Sequence, residues 1–233
     1  MNLIRPNEQR AKTAILMIWI VLALEIISFF SSYLQYDLLK SVSSGSAVSN
    51  SEISANDLRE GIIGFLYFAL YLISCTTFIR WFRRAYFNLQ LKTDYLSSSD
   101  NWVAISWFIP FICLYKPYQI MKEMYTKTNE ILFEEANQTK AITTSYLGWW
   151  WGLWIISNII GQVVFRTTLN SDNIDSLTSG TIVSMVGNVI SLPLSLITVK
   201  VIKDYSDIEH LLIEVKGDKI ITSTENTYLN PEF

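Results

Sequence analysis

Cysteine and histidine are nearly missing from this chain. Among 233 residues there are two cysteines, Cys75 and Cys113, and one histidine, His210. Two cysteines cannot build a disulfide framework, and no CxxC pair suggests a metal site. A lone histidine in a polar tail reads as a solvated side chain with no role. The chain also lacks HExxH, a phosphate-cradling glycine loop and any nucleophile spaced to meet a base. Enzyme chemistry is therefore not expected, and neither catalytic residues, a metal nor a cofactor is assigned. A net charge of −3 excludes the basic footprint of a nucleic-acid binder.

Charge is scarce in a more telling way as well. It is nearly missing from four apolar blocks, residues 13–34, 61–82, 146–166 and 181–202. Each is about twenty residues, enough to cross the hydrocarbon of a bilayer as a helix. The first follows Arg5, Arg10 and Lys12, is too long for a signal-peptide core and lacks a small-x-small cleavage site, so it reads as a retained membrane helix. The expected fold class is an all-α membrane protein, a four-transmembrane-helix bundle with a helical segment between the second and third spans. The expected organisation is an N-terminal tail at 1–12, one membrane domain at 13–203 and a C-terminal tail at 204–233.

Fifteen of the 18 basic residues fall on the N-terminal tail, the long middle connection and the C-terminal tail, leaving only Lys40, Arg59 and Arg166 for the other side. The positive-inside rule then places both termini in the cytoplasm of a multi-pass protein of the cell membrane, of the bacterial inner-membrane kind. The outer connections would be a flexible Ser/Gly-rich loop at 35–60 and a short loop at 167–180, which carries Asp172 and Asp175. A fifth apolar block, 102–115, is about fourteen residues long and interrupted by Pro110. A crossing there would carry Lys116, Lys122, Lys127 and Lys140 outside. It is expected instead to lie on, or dip into, the cytoplasmic face, with Trp102 and Trp107 at headgroup depth. A proline-led helix at 117–136 follows.

Each span carries small or polar residues at spacings of three and four, the seam of packed helices. The fourth shows Thr181, Ser184, Asn188, Ser191, Ser195 and Thr198; the second shows Gly64, Tyr67, Tyr71 and Ser74; the third contains Gly148, Gly152 and Gly161. Pro193 should bend the fourth helix. By depth, Glu25, Tyr71, Asn158, Asn188 and Ser191 fall together near the midplane. A mid-helix carboxylate is costly unless it has a partner or a purpose. One reading is a neutral acid acting as interhelical glue; the other is a proton- or ion-responsive site. The run Trp149–Trp150–Trp151 with Trp154 reads as an aromatic belt in preference to a ligand cage.

In the middle connection, Arg80, Arg83 and Arg84 suit lipid phosphates. Trp81, Arg84, Ala85 and Asn88, then Trp102, Trp107-Phe108-Ile109-Pro110, Pro117-Tyr118, Met121 and Glu123 form a pattern. On these residues the chain resembles the membrane family called domain of unknown function 4328. The resemblance implies membership of an uncharacterised multi-pass family and no activity. Physically, Asn88 could tie a helix end, Pro110 could turn the apolar block, and Arg84 could pair with Glu123 to staple two cytoplasmic helices. Such a unit reads either as a binding surface for a lipid headgroup or partner, or as a stabilising cap.

The leading expectation is a non-enzymatic membrane scaffold, sensor or partner- and lipid-binding protein. Its partners would be membrane lipids, including anionic headgroups, and a membrane protein or a second copy; nucleic acid is not among them. The alternative is a small-solute or ion transporter using the polar cluster around Glu25.

Overall fold

The computed structural model describes residues 4–135, 141–169 and 173–213; Lys140, Asp172, Lys216 and Lys219 lie outside them. Every regular element among the described residues is helical: α1 (Glu8–Ser43), α2 (Asn50–Gln90), α3 (Asp100–Ile105), α4 (Lys116–Glu135), α5 (Leu147–Leu169) and α6 (Ile174–Glu209). Short 3-10 turns occupy Ile112–Leu114 and His210–Ile213.

The long helices overrun the apolar blocks. At 36 and 41 residues, α1 and α2 are about 54 and 62 Å long at 1.5 Å per residue, against about 30 Å of hydrocarbon. The expected loop at 35–60 is therefore replaced by a connection at 44–49. The reason is local: Ser49 and Glu52 form a capping box that starts α2 early. The Ser49 hydroxyl accepts from the Glu52 N–H (3.2 Å), and the Ser49 N–H donates to the Glu52 carboxylate (2.8 Å). Likewise, the Asn173 side chain accepts from the Ser176 N–H (2.8 Å) and starts α6 within the expected second loop.

Among the described residues, three helices, α1, α2 and α6, are long and apolar enough to cross a membrane. Helix α5, 23 residues long, packs along α6. α1 packs along both α2 and α6, whereas α2 and α5 scarcely approach each other. The order α2–α1–α6–α5 is an open arc rather than the closed bundle expected from the polar seams. The glycines expected to draw helices together on α2 and α5 do not do so: a side chain at Gly64, Gly148, Gly152 or Gly161 would meet open space. The close approaches are made by α6 instead. A Cβ at Gly187 would come within 3.1 Å of Ile160, and one at Gly180 within 3.1 Å of Thr167. Pro193 sits inside α6, which continues unbroken past it, with its ring exposed.

The apolar core is not at mid-helix. It lies at the end where the N-terminus, the end of α2, the end of α6 and all of α4 meet. Trp81, Phe82, Tyr86, Met124, Tyr125 and Tyr205 are among its fully buried side chains. Polar ties reinforce it: Tyr125 donates to the Val201 carbonyl (2.7 Å), Tyr205 and Thr128 share a hydrogen bond (3.1 Å), and Tyr146 donates to Asp204 (2.7 Å). We call this end the cap. The 44–49 connection, the end of α5 and the start of α6 lie at the opposite end of the long helices.

Candidate functional site

Three places bring polar groups together among the described residues: the middle of the long helices, a stretch of α1 and α2 nearer the connections, and the cap. At mid-helix, Glu25 is 3 % exposed. It accepts from the Tyr67 hydroxyl (2.7 Å) and from Ser191. With the Asn188 amide turned to face it, Asn188 donates to Glu25 Oε2 (2.8 Å) and accepts from the Phe29 N–H (3.1 Å). One carboxyl thus links α1, α2 and α6.

The expected membership of this cluster changes at two positions. Tyr71 stacks on Tyr67 (6.0 Å between centroids) and bonds Cys75 instead of Glu25. The two tyrosines are one helical turn apart on the same face, and depth reckoning from sequence does not resolve one turn. Asn158 is exposed and donates back to its own Trp154 carbonyl (2.7 Å), so it leaves the cluster altogether. Within the cluster Glu25 is the only ionisable carboxylate among the described residues, and hydrogen-bond donors surround it. Glu25→Leu should therefore cost about 1–2 kcal/mol by stranding Tyr67 and Asn188. Glu25→Gln should keep most of that stability, because Asn188 can turn its amide. Unfolding titrations in detergent check both; equal losses would contradict the tie.

A second knot, unforeseen in the sequence, joins α1 to α2 nearer the connections. Arg59 donates to the Ser31 hydroxyl (2.9 Å) and to Asn56 (2.6 Å), and Ser31 in turn donates to Glu60. The i, i+3 spacing of Asn56 and Arg59 was its only sequence signal.

At the cap, Asn88 is fully buried. Its Oδ1 accepts from the Arg5 N–H (3.0 Å), while its Nδ2 donates to the Arg5 carbonyl (2.9 Å) and to Glu209 (2.7 Å). Asn7 precedes α1, where an asparagine normally accepts from the first-turn N–H groups. It makes no such cap. Its amide donates to both oxygens of Glu209 (3.2 and 3.0 Å) and to the Trp81 carbonyl (3.3 Å). Glu209 is the buried centre of this knot of N-terminus, α2 and α6. Burial pushes its carboxyl above the ordinary range; the Asn7 and Asn88 donors and the nearby Arg84 charge oppose that rise.

Glu123 was expected to pair with Arg84. It accepts instead from the Tyr86 hydroxyl (2.9 Å) and from the Ser97 N–H (2.8 Å) and hydroxyl (2.9 Å). Arg84 and Tyr86 are two residues apart on α2 and so point to opposite faces; α4 lies on the Tyr86 side, and the acid near Arg84 is Glu209. Arg83 is also committed. It forms an ion pair with Asp100 (3.0 Å) and donates to Asn101 (2.9 Å), holding the start of α3. Of the three arginines, only Arg80 is exposed with no ion pair among the described residues.

The 102–115 segment is a hairpin. Six residues of α3 rise about 9 Å, far short of a crossing. Phe111 has φ +65° and ψ −42°, and the Ile112 N–H bonds the Pro110 carbonyl (2.8 Å). This is a γ-turn with a left-handed non-glycine residue at its centre, which costs about 1–3 kcal/mol and persists only where surroundings enforce it. The enforcement is visible. Trp107 packs edge-on against Phe78 and Phe82 of α2 and against Trp154 of α5. Trp151 donates to the Leu114 carbonyl (2.8 Å), and Pro117 is buried at the start of α4. Meanwhile Trp102, Ile105, Phe108, Phe111, Leu114 and Tyr115 stand exposed along the hairpin, Phe108 at 76 % and Phe111 at 81 %.

The aromatic-belt expectation for α5 fits only Trp149, which is exposed. Trp150 and Trp151 are buried; Trp150 donates to Thr198 (3.1 Å), and Trp151 stacks on Trp154 at 4.5 Å. Groups of histidine, cysteine and carboxylates able to hold a metal are absent among the described residues.

The family model described as Domain of unknown function (DUF4328) matches residues 44–207, most of the chain, so the chain belongs to that family. No curated protein and no solved structure matches it.

Proposed function

We propose that this member of the family is a four-span, non-enzymatic membrane protein whose cap lies on the cytoplasmic leaflet as a lipid- and partner-binding scaffold. In this reading α5 is the fourth span, both termini are cytoplasmic, and the two short connections face out. The basic residues of the tails and middle connection support that orientation. The reading rests chiefly on the hairpin: a run of exposed apolar side chains is held by a strained turn on a rigid base. In water such a contiguous patch is a liability. At headgroup depth it is an anchor. Exposed Arg80 would meet anionic headgroups, each basic residue there contributing roughly 1 kcal/mol. Transport through the Glu25 cluster has less support, because its single carboxylate is enclosed by donors.

A spin label at Phe108→Cys, with Cys75 and Cys113 replaced by alanine, tests the anchor in proteoliposomes. The label should relax faster with membrane-soluble oxygen than with an aqueous nickel chelate. The reverse order would place the hairpin in water and remove the main support for the reading.

A further inference from the structure

Four arginines gather where α1 starts and α2 ends, and none of Arg5, Arg10, Arg80 and Arg84 forms an ion pair among the described residues. Arg80 and Arg84 are one turn apart on α2, so they share a face. Arg10 joins them from α1: its guanidinium donates to the Arg80 carbonyl (3.1 Å). A helical carbonyl points along the axis toward the residue four further on. Arg10 therefore lies beside the turn between Arg80 and Arg84. Arg5 flanks the group, its backbone tied to Asn88 and its guanidinium 4.6 Å over the Phe87 ring. Arg80 is exposed and Arg10 and Arg84 are half-buried, so the group is open on one side.

The acids nearby are spent elsewhere. Asp100 holds Arg83, and Glu8 pairs with Lys12. Glu209 is buried and accepts from Asn7 and Asn88. Burial lowers the Arg10 guanidinium from its usual range, and the charges of Arg80 and Arg83 lower it further. At Arg84 burial again acts first, followed by repulsion from Arg10 and Arg5, while the Glu209 charge opposes them. Like charges one turn apart destabilise a helix. The tie that draws Arg10 onto α2 thus gathers charge that an anion would relieve.

The number of guanidiniums narrows the anion. A phosphodiester headgroup offers a single charge. A phosphomonoester carries about −1.5 to −2 at pH 7 and three strong acceptor oxygens, and guanidinium forks grip phosphate bidentately. Depth points to its source. Arg10 lies just before the first apolar block and Arg80 at the end of the second, which is headgroup level in the orientation proposed above. We propose that Arg10, Arg80 and Arg84 form a site for a terminal phosphate, the phosphomonoester headgroup of a membrane lipid. The site rests on the scaffold reading for its leaflet and adds to it a defined ligand class.

The test is native mass spectrometry of the full chain, released from detergent micelles and titrated with dioleoyl phosphatidic acid, phosphatidylglycerol or phosphatidylcholine. The first phosphatidic acid should bind roughly tenfold tighter than phosphatidylglycerol, the worth of one further charge-assisted hydrogen bond. Arg10→Gln and Arg80→Gln should each erase most of that preference. Lys12→Gln removes the same charge two residues from Arg10, where Glu8 already pairs with it, and should leave the preference intact. Arg10→Lys keeps the charge without the fork and should fall between. Melting temperatures show which variants remain folded; should a Gln variant unfold, Arg10→Lys decides, and an undiminished preference there overturns the site. Equal affinity of the unaltered protein for phosphatidic acid and phosphatidylglycerol also overturns it. So does a loss in Lys12→Gln as large as in Arg10→Gln, since the arginines would then act only as bulk charge. Displacement of bound phosphatidic acid by an equal concentration of inorganic phosphate would overturn the lipid as occupant in favour of a soluble phosphate. The Phe108 label separates the two readings: a lost preference with the label in lipid removes the site alone, and a label in water with the preference intact removes the scaffold reading alone.

Discussion

Replacing Asn88 by leucine should destabilise the cap by about 3 kcal/mol. Three hydrogen bonds vanish, two of them to the Arg5 backbone and one to Glu209. The Glu209 partner is buried, and a bond to a carboxylate contributes roughly 1.5–3 kcal/mol. Leucine keeps the branching of asparagine but is bulkier, so the loss combines polar groups left unpaired with some overpacking at this fully buried position, and no void is made. The same knot sets a pH dependence. Burial raises the Glu209 carboxyl above its ordinary value near 4.5, so the folded cap binds the proton more tightly than the unfolded chain. Stability should then fall as pH rises from the ordinary carboxylate range through that raised value. Glu209→Gln should flatten the slope. The groups facing Glu209 are the Asn7 and Asn88 amides, the Tyr205 phenol and the Arg84 charge, and only Arg84 among them is charged. Thermal melts in detergent between pH 4 and 8 read both effects. A slope that survives in the Gln variant would assign the dependence to another group.

Trp81→Ala should be the most damaging single change, costing about 3–5 kcal/mol. The indole is fully buried, lies 5.6 Å from the Phe78 ring and 6.2 Å from that of Tyr205, and donates to the Ser206 hydroxyl (3.2 Å). Trp81→Phe should lose less, since most ring contacts survive. Because the core lies in the cap, the alanine variant should still partition into membranes while its α2–α4 connection becomes protease-sensitive. Loss of membrane insertion would mean that the cap and the long helices do not fold as separable layers.

What the sequence revealed and what it hid divide along physical lines. Long apolar blocks mark helices because length and hydropathy are local properties; α1, α2 and α6 stand where those blocks lie. The short apolar block with Pro110 marked a segment that turns, and the lysines that follow it argued against a crossing. Ser49 and Glu52 carried the cap of α2 in plain view, yet the serine- and glycine-rich neighbourhood masked it as loop. Side-chain partners were the hidden part. Glu25 was legible as a residue needing partners, but the choice of Tyr67 over Tyr71 depends on helix rotation. Arg84 and Glu123 bear opposite charges in neighbouring segments, and only the rotation of α2 reveals that Tyr86 faces Glu123. The Asn7–Asn88–Glu209 knot joins three distant stretches and leaves no periodic trace. The core was hidden for a related reason: in a chain whose longest helices are apolar enough to cross a membrane, the longest apolar blocks are not where apolar side chains are most buried.

In the proposed orientation the cap and both termini share the cytoplasmic side while the two short connections face out. Single cysteines at Ser46, Thr126 and Asp175, all exposed, test it directly once Cys75 and Cys113 are replaced by alanine. An impermeant maleimide applied to intact cells should label positions 46 and 175, and should reach position 126 only after permeabilisation. Labelling of position 126 from outside, or protection of 46 and 175, would contradict the account.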